Sequence, residues 1–231
     1  MRRTIFIGDI HGCASEFKEL LGAVDCRNTA DRVLITGDLF SRGPEPLRVW
    51  ELIREYSAEV VLGNHDDRLL RQLQAHSEGG KVAFLHADQR DTFAALEPVF
   101  DELYPWLCEV QLCIDEEEFL LVHAGIDPVA GLAATTRTQF TRIRTWPPSD
   151  KLEGPRWHDA VTPEPARPFV FGHDAPAGLV VRRRDDDGDS SPWLVGLDSG
   201  CVYGGQLSAW LLEEDRIIQV ESRQSRNRTW W

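Results

Sequence analysis

The amino-acid sequence predicts an α/β protein in which two β-sheets pack together and helices lie on the outside. The first third of the chain alternates short apolar runs with segments of helical periodicity, the pattern of parallel strands joined by helical crossovers. The second half contains a series of short apolar or alternating runs separated by turn residues, which is typical of further strands. A chain of 231 residues is long enough to bury such a core in one unit, so we expect 1–231 to form a single domain.

Three strand–helix pairs are predicted at the start of the chain. Each predicted strand is a short apolar run, and the first one is stopped by Gly8. Each predicted helix has apolar residues three or four positions apart, as in Phe17, Leu20 and Leu21. In chain order the elements are a strand over 4–8, a helix over 15–24, a strand over 32–36, a helix over 46–56, a strand over 59–62 and a helix over 66–75.

Strands dominate the rest of the sequence. Two apolar runs around an acidic turn predict a hairpin, with strands over 109–114 and 118–122. Further strands are predicted over 168–171, 179–184, 193–197, 207–212 and 217–220. Residues 127–167 are rich in proline and polar side chains and show no clear pattern of secondary structure.

Composition excludes several classes of protein. The formal net charge of −13 argues against a broad basic surface for nucleic acid, although bound divalent cations could still attract a small anionic substrate. No apolar stretch approaches the ~18 residues of a membrane span, and the apolar run at the start is too short for a signal peptide. We therefore expect a cytoplasmic protein without a membrane segment. The five cysteines form no CxxC pair, and Cys13 and Cys201 are expected to be small buried thiols.

Five segments place metal-ligand side chains at the ends of predicted strands. They read GDIHG, GDLFSRG, GNHD, HAG and GHD, and their candidate ligands are Asp9, His11, Asp38, Asn64, His123 and His173. Because the carboxyl ends of parallel strands lie at one edge of a sheet, these side chains should converge there. Glycines beside the ligands allow sharp turns and close approach of the backbone.

Carboxylates combined with imidazoles suit manganese, iron, zinc or cobalt better than calcium. Asp38 occupies a position from which one carboxylate could bridge two ions about 3.5–4 Å apart. A lone Asp-Ile-His triplet is more often a strand end with a surface histidine, but five such segments in order are a specific signal. The sequence thus predicts a site for two divalent cations that could activate water for an in-line displacement, with Mn²⁺, Co²⁺, Fe or Zn²⁺ as the candidate ions.

The five segments resemble those of the calcineurin-like metallophosphoesterases, in the branch that contains protein phosphatases and diadenosine polyphosphate hydrolases. GDLFSRGPEPL, the PWL at 105–107, FTRIRT at 140–145 and LDSGCVYGGQLSAW at 197–210 are similar to the symmetrical diadenosine tetraphosphatases. The resemblance runs from Asp9 to about Trp210. It implies an α/β/β/α sandwich and the hydrolysis of diadenosine tetraphosphate to two ADP, with a metal-bridging hydroxide attacking phosphorus directly.

The resemblance also implies a role for each matching residue. Asp9, His11 and Asp38 would hold the first metal, and Asp38, Asn64, His123 and His173 would hold the second. His65 would be the general acid or electrostatic partner of the leaving group, and Arg42 would bind the scissile phosphate. Arg142 is the candidate for a second phosphate clamp, Arg144 would share its side of an extended stretch, and Tyr203 either lines the substrate groove or packs in the core.

One position departs from the protein phosphatases. Their third residue after the bridging aspartate is typically a second aspartate that orients the catalytic histidine, whereas this chain has Ser41. A serine can accept a hydrogen bond from that imidazole, but it cannot stabilise an imidazolium as a carboxylate does. The tetraphosphatases also carry a small residue there. Expulsion of ADP, whose terminal phosphate has a pKa of roughly 6, needs little protonation, while a serine alkoxide needs much more.

Ser41 therefore favours a tetraphosphatase over a protein serine/threonine phosphatase, which is the alternative. A non-catalytic nucleotide- or metal-binding module is disfavoured by the complete ligand set. The chain is also shorter between HAG and GHD than the longer tetraphosphatases, so specificity could be broader and nucleoside-tetraphosphate caps on RNA are a second candidate substrate. His76, His86 and His158 fall outside every segment and are expected to be surface or satisfied core histidines.

Overall fold

The computed structural model of the chain describes residues 3–28, 30–149, 153–161, 166–185 and 190–226. The strands are β1 (Thr4–Ile7), β2 (Arg32–Ile35), β3 (Glu59–Val60), β4 (Cys113–Asp115), β5 (Leu120–Val122), β6 (Phe169–Phe171), β7 (Val180–Arg183), β8 (Pro192–Gly196), β9 (Gln206–Leu211) and β10 (Arg216–Glu221). The helices are α1 (Ala14–Ala23), α2 (Pro46–Tyr56), α3 (Asn64–Ser77), α4 (Ala87–Leu96), α5 (Phe100–Glu109) and α6 (Arg137–Arg142). Short 3₁₀ turns cover Glu97–Val99, Leu132–Ala134, Trp157–Asp159, Ala175–Ala177 and Cys201–Tyr203.

The strands form two five-stranded mixed sheets. The first has the order β10-β9-β1-β2-β3, in which β1, β2 and β3 are parallel, as the strand–helix repeats predicted. The second has the order β4-β5-β6-β8-β7, in which β5, β6 and β8 are parallel and the edge strands β4 and β7 are antiparallel. The carboxyl ends of these six parallel strands are thus available to one site.

The two sheets face each other through alternate residues of their strands. Phe6 of the first sheet lies in one apolar cluster with Leu121 and Val170 of the second. Its ring contacts that of Phe119 edge-on at a centroid distance of 4.8 Å and stacks on Trp210 at 5.5 Å. Because successive side chains of a strand point to opposite faces, the neighbours of Phe6 in β1 face the helices instead. Each fully buried large apolar side chain contributes about 1.5–3 kcal/mol to this core.

Helices and turns cover the outer faces of both sheets. α1 and α2 pack on the first sheet through one large cluster, which also takes in apolar side chains of α3, α4 and α5. The outer face of the second sheet is covered by Phe140 of α6 and by the fully buried Trp157. This layering is the expected α/β/β/α sandwich.

Several boundaries differ from the sequence prediction. The prediction of a strand over 109–114 was wrong in its first half, because α5 continues to Glu109 and β4 begins only at Cys113. The helices α4, α5 and α6 were not predicted. α5 does carry Leu103 and Leu107 four positions apart on its buried face, but Pro105 interrupts the pattern. No helix of the described ranges is long and apolar enough to cross a membrane.

Candidate active site

The predicted ligands meet where strands of both sheets end. β1 ends two residues before Asp9, β5 ends directly before His123, and β6 ends two residues before His173. Asn64 is the first residue of α3, so the GNHD segment forms the first turn of that helix. The site is therefore built by short backbone turns that follow buried strands.

Asp38 lies at the centre of this group. Its Oδ2 is 3.4 Å from Nε2 of His11, and its Oδ1 is 3.6 Å from Nε2 of His123 on the opposite side. Oδ1 also accepts a hydrogen bond of 2.9 Å from the backbone N–H of His65. One carboxylate thus connects histidines that come from different sheets.

The ligand atoms form two clusters that share Asp38. Within each cluster the atoms lie within 4.8 Å of one another, and the clusters are Asp9–His11–Asp38 and Asp38–His123–His173. Oδ1 of Asn64 lies 3.2 Å from Nε2 of His123 and so belongs beside the second cluster. The structure brings all six predicted ligands together.

Hydrogen bonds fix the orientation of the imidazoles. Nδ1 of His123 donates to the carbonyl oxygen of Thr36 at 2.7 Å, which leaves the lone pair on Nε2 facing the site. Nε2 of His173 lies 3.2 Å from the carbonyl oxygen of Arg142, and its Nδ1 lies 3.4 Å from a guanidinium nitrogen of Arg144. Burial lowers the pKa of His123 to about 4, so its ring is neutral and able to ligate at neutral pH.

The backbone at the site is strained. His11, Asp38 and His173 have φ angles of 48°, 51° and 65°, and Arg42 has 75°, a left-handed region that non-glycine residues rarely adopt. Such strain persists only where surrounding contacts determine the conformation, as in the 2.8 Å bond from the His11 N–H to the Asp38 carbonyl. At Gly172, a Cβ atom would lie 2.0 Å from Oδ1 of Asp9, so only glycine allows the two loops to approach this closely.

Buried negative charge makes the site suited to cations. Burial raises the pKa of Asp9, Asp38 and Asp198, since water cannot solvate their charged forms, and their mutual repulsion raises that of Asp9 further. No lysine or arginine in the described part of the chain forms an ion pair with these three carboxylates. Hard oxygen donors and neutral imidazoles in this arrangement fit divalent metal ions.

Sequence reasoning missed two acidic residues of the site, Asp198 and Asp66. Asp198 follows β8 in the LDSG segment, and its buried carboxylate lies close enough to Asp9 to raise the pKa of that residue. Asp66 accepts hydrogen bonds from the backbone N–H groups of Asp38 and Leu39 at 2.7 and 3.0 Å, so it fixes the turn that presents Asp38. The signal was available, because Asp66 is the last residue of GNHD.

His65 lies beside the clusters with its ring half-buried. The ring contacts that of His11 edge-on at a centroid distance of 5.0 Å, and burial and the charge of His11 lower its pKa. A small cavity opens next to it, lined in part by Arg68 and Ser41. The hydroxyl of Ser41 lies 3.2 Å from Nδ1 of His11, and no hydrogen bond joins it to His65 among the described residues. Ser41 therefore contacts the ring of His11 rather than that of His65.

Four predicted substrate-binding residues remain, namely Arg42, Tyr203, Arg144 and Arg142. The guanidinium of Arg42 donates a hydrogen bond to the hydroxyl of Tyr203 and lies 5.3 Å from the centre of its ring. Arg144 is half-buried and donates to the carbonyl oxygen of His173 at 3.1 Å, so it contacts a predicted ligand directly.

Arg142 is the last residue of α6 rather than part of an extended stretch, so the expected pairing of its side with Arg144 was wrong. α6 is held against α3 by the ion pair of Arg137 with Asp67 at 2.6 Å. The charge of Arg68 on α3 contributes to the lowered pKa of Arg142, after burial. Neither of these two guanidinium groups has a hydrogen bond or ion pair with another described residue, so both are free to meet an anion.

The layered fold and the Asp38-centred clusters define a metal-dependent hydrolase. The chain belongs to the calcineurin-like phosphoesterase family, whose model matches residues 2–187, and this fold binds divalent metal ions.

Two named relatives and one solved structure are similar to the chain over almost its whole length. A protein of Vibrio campbellii (strain ATCC BAA-1116) named symmetrical bis(5'-nucleosyl)-tetraphosphatase is 36% identical over 279 residues, covering 95% of this chain and 98% of the relative. A protein of the same name from Nitrosospira multiformis is 28% identical, covering 93% and 94%. A crystal structure provisionally assigned to a diadenosine tetraphosphatase superposes with a TM-score of 0.74 at 28% identity, covering 96% of this chain and 94% of that one.

Proposed function

We propose that this protein hydrolyses dinucleoside tetraphosphates symmetrically, so that diadenosine tetraphosphate yields two ADP. The observation that carries the proposal is the carboxylate of Asp38 shared between two clusters of ligand atoms. Relatives that carry the name of this activity are similar to the chain over almost its whole length. A cytoplasmic location, where free nucleotides occur, is part of the same proposal.

The proposed metal ligands are the six residues that the sequence indicated. Asp9, His11 and Asp38 would hold one divalent cation, and Asp38, Asn64, His123 and His173 would hold another, with Mn²⁺ as the proposed ion. Such a pair supplies Lewis-acid chemistry, because it lowers the pKa of water and neutralises charge on phosphoryl oxygens. Asp198 adds negative charge beside Asp9 and so favours cation binding there.

The chain's own residues would position the polyphosphate. The guanidinium of Arg42 donates a hydrogen bond to Tyr203, and its remaining N–H donors would suit the oxygens of the phosphate under attack. Arg142 and Arg68 face the site from two different helices without described partners, and they would contact the phosphates farther along the chain. Each such charge-assisted contact in a poorly solvated site stabilises the phosphate strongly.

His65 would contact the leaving group. Its backbone N–H is fixed on Asp38, so its imidazole projects beside the clusters and borders the cavity. A nucleoside diphosphate with a terminal pKa of roughly 6 leaves readily as an anion, so an imidazole that donates one hydrogen bond is sufficient. An alkoxide from a phosphoprotein would require full proton transfer.

The experiment is product analysis with the Mn²⁺-loaded protein in ¹⁸O-enriched water. Diadenosine tetraphosphate should give only ADP, with ¹⁸O in the terminal phosphate of one of the two molecules. ATP and AMP would contradict symmetrical cleavage, and faster release of phosphate from a phosphoserine peptide would favour the protein phosphatase. RNA with a nucleoside-tetraphosphate cap presents the same phosphate chain and is the third substrate to compare by kcat/KM.

A further inference from the structure

A second group of ligand-type side chains lies outside the Asp38-centred clusters. Cys13, Glu16 and Cys201 are buried, with exposed fractions of 0%, 0% and 2%. The two sulfur atoms and one carboxylate oxygen lie within 4.8 Å of one another. Both cysteines are free thiols.

Three separate parts of the chain bring these residues together. Cys13 precedes the first turn of α1 and Glu16 lies within it, whereas Cys201 begins the 3₁₀ turn between β8 and β9. Oε1 of Glu16 accepts hydrogen bonds from the backbone N–H of Arg223 at 2.7 Å and from Nε2 of Gln224 at 3.2 Å. The carboxylate is therefore fixed in place by the segment that follows β10.

The other oxygen of this carboxylate has no described partner. Oε2 of Glu16 is buried and forms no hydrogen bond, although an unpaired buried polar atom costs roughly 1–3 kcal/mol and a charged one costs more. A disulfide between the two cysteines would leave this oxygen without a partner. A cation between the three side chains would give this oxygen a partner, and the Cys13 thiol would exchange its hydrogen bond to the carbonyl oxygen of His11 for a bond to the cation.

We propose that Cys13, Cys201 and Glu16 form a further metal site that binds a thiophilic divalent cation of the Zn²⁺ type. Zn²⁺ binds sulfur at about 2.3 Å and carboxylate oxygen at about 2.0–2.2 Å, which places its ligand atoms about 3.5–3.8 Å apart. The cluster already holds its three atoms within 4.8 Å, so only a small contraction is needed. Sulfur ligands distinguish this site from the Asp38-centred clusters, whose donors are oxygen and nitrogen.

The end of a helix favours the charge of such a site. Two thiolates and a carboxylate around a dication leave one net negative charge, and the positive N-terminal end of the ten-residue helix α1 lies directly beside it. The cation would connect the turn that carries His11, the turn that carries Tyr203 and the segment after β10. Its role would be structural, and its binding should raise the melting temperature.

Cobalt spectroscopy tests this proposal without depending on activity. Co²⁺ bound through thiolate gives a sulfur-to-cobalt charge-transfer band in the near ultraviolet, whereas Co²⁺ in the Asp38-centred clusters gives none. In wild-type protein, kept reduced, the band should reach the intensity of one thiolate-bound cobalt ion per chain and disappear on addition of Zn²⁺. It should be absent from Cys13→Ser and Cys201→Ser, altered in Glu16→Gln, and unchanged in Cys108→Ser, which replaces an exposed cysteine.

Each contrary result overturns the proposal. Wild-type protein that shows no band at Co²⁺ concentrations that fill the catalytic clusters has no thiolate site. A band that survives in both serine variants, or is lost in Cys108→Ser, arises elsewhere. A thiol count in denaturant that is two short in wild-type protein but not in Cys13→Ser indicates a disulfide instead. If the serine variants fail to fold, X-ray absorption of zinc-loaded wild-type protein decides, since no sulfur neighbour at about 2.3 Å would refute the site.

Discussion

The hydroxyl of Ser41 lies 3.2 Å from Nδ1 of His11, so the residue that departs from the protein phosphatase pattern contacts a predicted metal ligand. His11 directs its other nitrogen, Nε2, at Oδ2 of Asp38. A hydrogen-bonding partner on one ring nitrogen fixes the tautomer and orientation with which the other nitrogen ligates. Ser41 therefore acts through His11, and its effect should appear in metal affinity.

Replacement of Ser41 by alanine should weaken metal binding about 10–100-fold, the usual effect of removing a group that orients a ligand. Mn²⁺ affinity measured by equilibrium dialysis or calorimetry checks this, with Ser77→Ala at an exposed position of α3 as the matched control. Turnover should recover at high Mn²⁺ concentration. Unchanged affinity together with low turnover at saturating metal would show that Ser41 acts on the reaction by another route.

Asp38→Asn should be the most damaging single substitution for catalysis, lowering kcat by roughly 10²–10³-fold or more, because the amide lacks the charge needed at both clusters. The metal-free fold should be unaffected or slightly more stable. Burial raises the pKa of the Asp38 carboxyl, which shows that its charge is poorly solvated, and asparagine removes that charge. Thermal unfolding in chelator and kcat at saturating Mn²⁺ measure the two effects, with Asp101→Asn as a surface control. Near-wild-type turnover would exclude the two-metal assignment.

Tyr203 should support catalysis through Arg42. Arg42→Ala is expected to lower kcat/KM roughly 10²–10³-fold, as for loss of a donor to a transition-state oxygen. Tyr203→Phe keeps the ring that lies against Arg42 but loses the hydroxyl that accepts its hydrogen bond, so a loss below about 10-fold is expected. In the Arg42→Ala background, Tyr203→Phe should have no further effect. Additive losses in this double-mutant cycle would mean that Tyr203 contacts the substrate independently.

Arg142 and Arg68 should matter for long phosphate chains and not for small esters. Alanine at either position is expected to lower kcat/KM for diadenosine tetraphosphate roughly 10-fold, the value of about 1.4 kcal/mol for one lost charge-assisted hydrogen bond. Hydrolysis of p-nitrophenyl phosphate should change little, and Arg48→Ala on α2 is the control. Equal losses on both substrates would indicate that these arginines contact the scissile phosphate. No loss on either substrate would show that they do not contact it at all.

His158 should make the protein sensitive to acid. The sequence predicted that His158 lies at the surface or in the core with hydrogen-bond partners. Its ring is instead buried against Trp157 and Phe171, and neither ring nitrogen has a described hydrogen bond. Burial, with a smaller effect of Arg182, lowers its pKa to about 4. In the unfolded chain the pKa of His158 is near 6.5, so its imidazole binds a proton at pH values where the folded protein keeps it neutral. This contribution to stability is therefore complete above about pH 6.5 and is lost as pH falls toward 4.

Because of His158 alone, the free energy of unfolding should fall by about 2 kcal/mol between about pH 7.5 and about pH 5. Urea unfolding at both values in chelator measures it as the difference between wild type and His158→Leu, which lacks the titrating ring. His86→Gln, at an exposed position, should behave as wild type. Identical pH dependence in wild type and His158→Leu would show that His158 is protonated or hydrogen-bonded in the folded protein.

The parts of this protein that the sequence predicted well are those encoded by local patterns. The boundaries of α2 match its apolar periodicity, and the strands β1 and β2 match short apolar runs that end at glycine or threonine. Glycine beside a ligand, as in GDIHG and GNHD, also reports a local requirement of the backbone. α4 and α5 escaped detection because one has a weak apolar face and the other contains Pro105.

By itself, the sequence determined which residue types follow each strand and therefore which six side chains were candidate ligands. Only the tertiary structure decided how they are oriented, because those contacts join residues far apart in the chain. Ser41 reaches His11 across thirty positions, and the carbonyl of Thr36 fixes the ring of His123 across eighty-seven. The pairing of β1 with β2 sets the first of these distances, and the packing of one sheet against the other sets the second. A periodic pattern along one strand contains no information about which other strand lies beside or across from it.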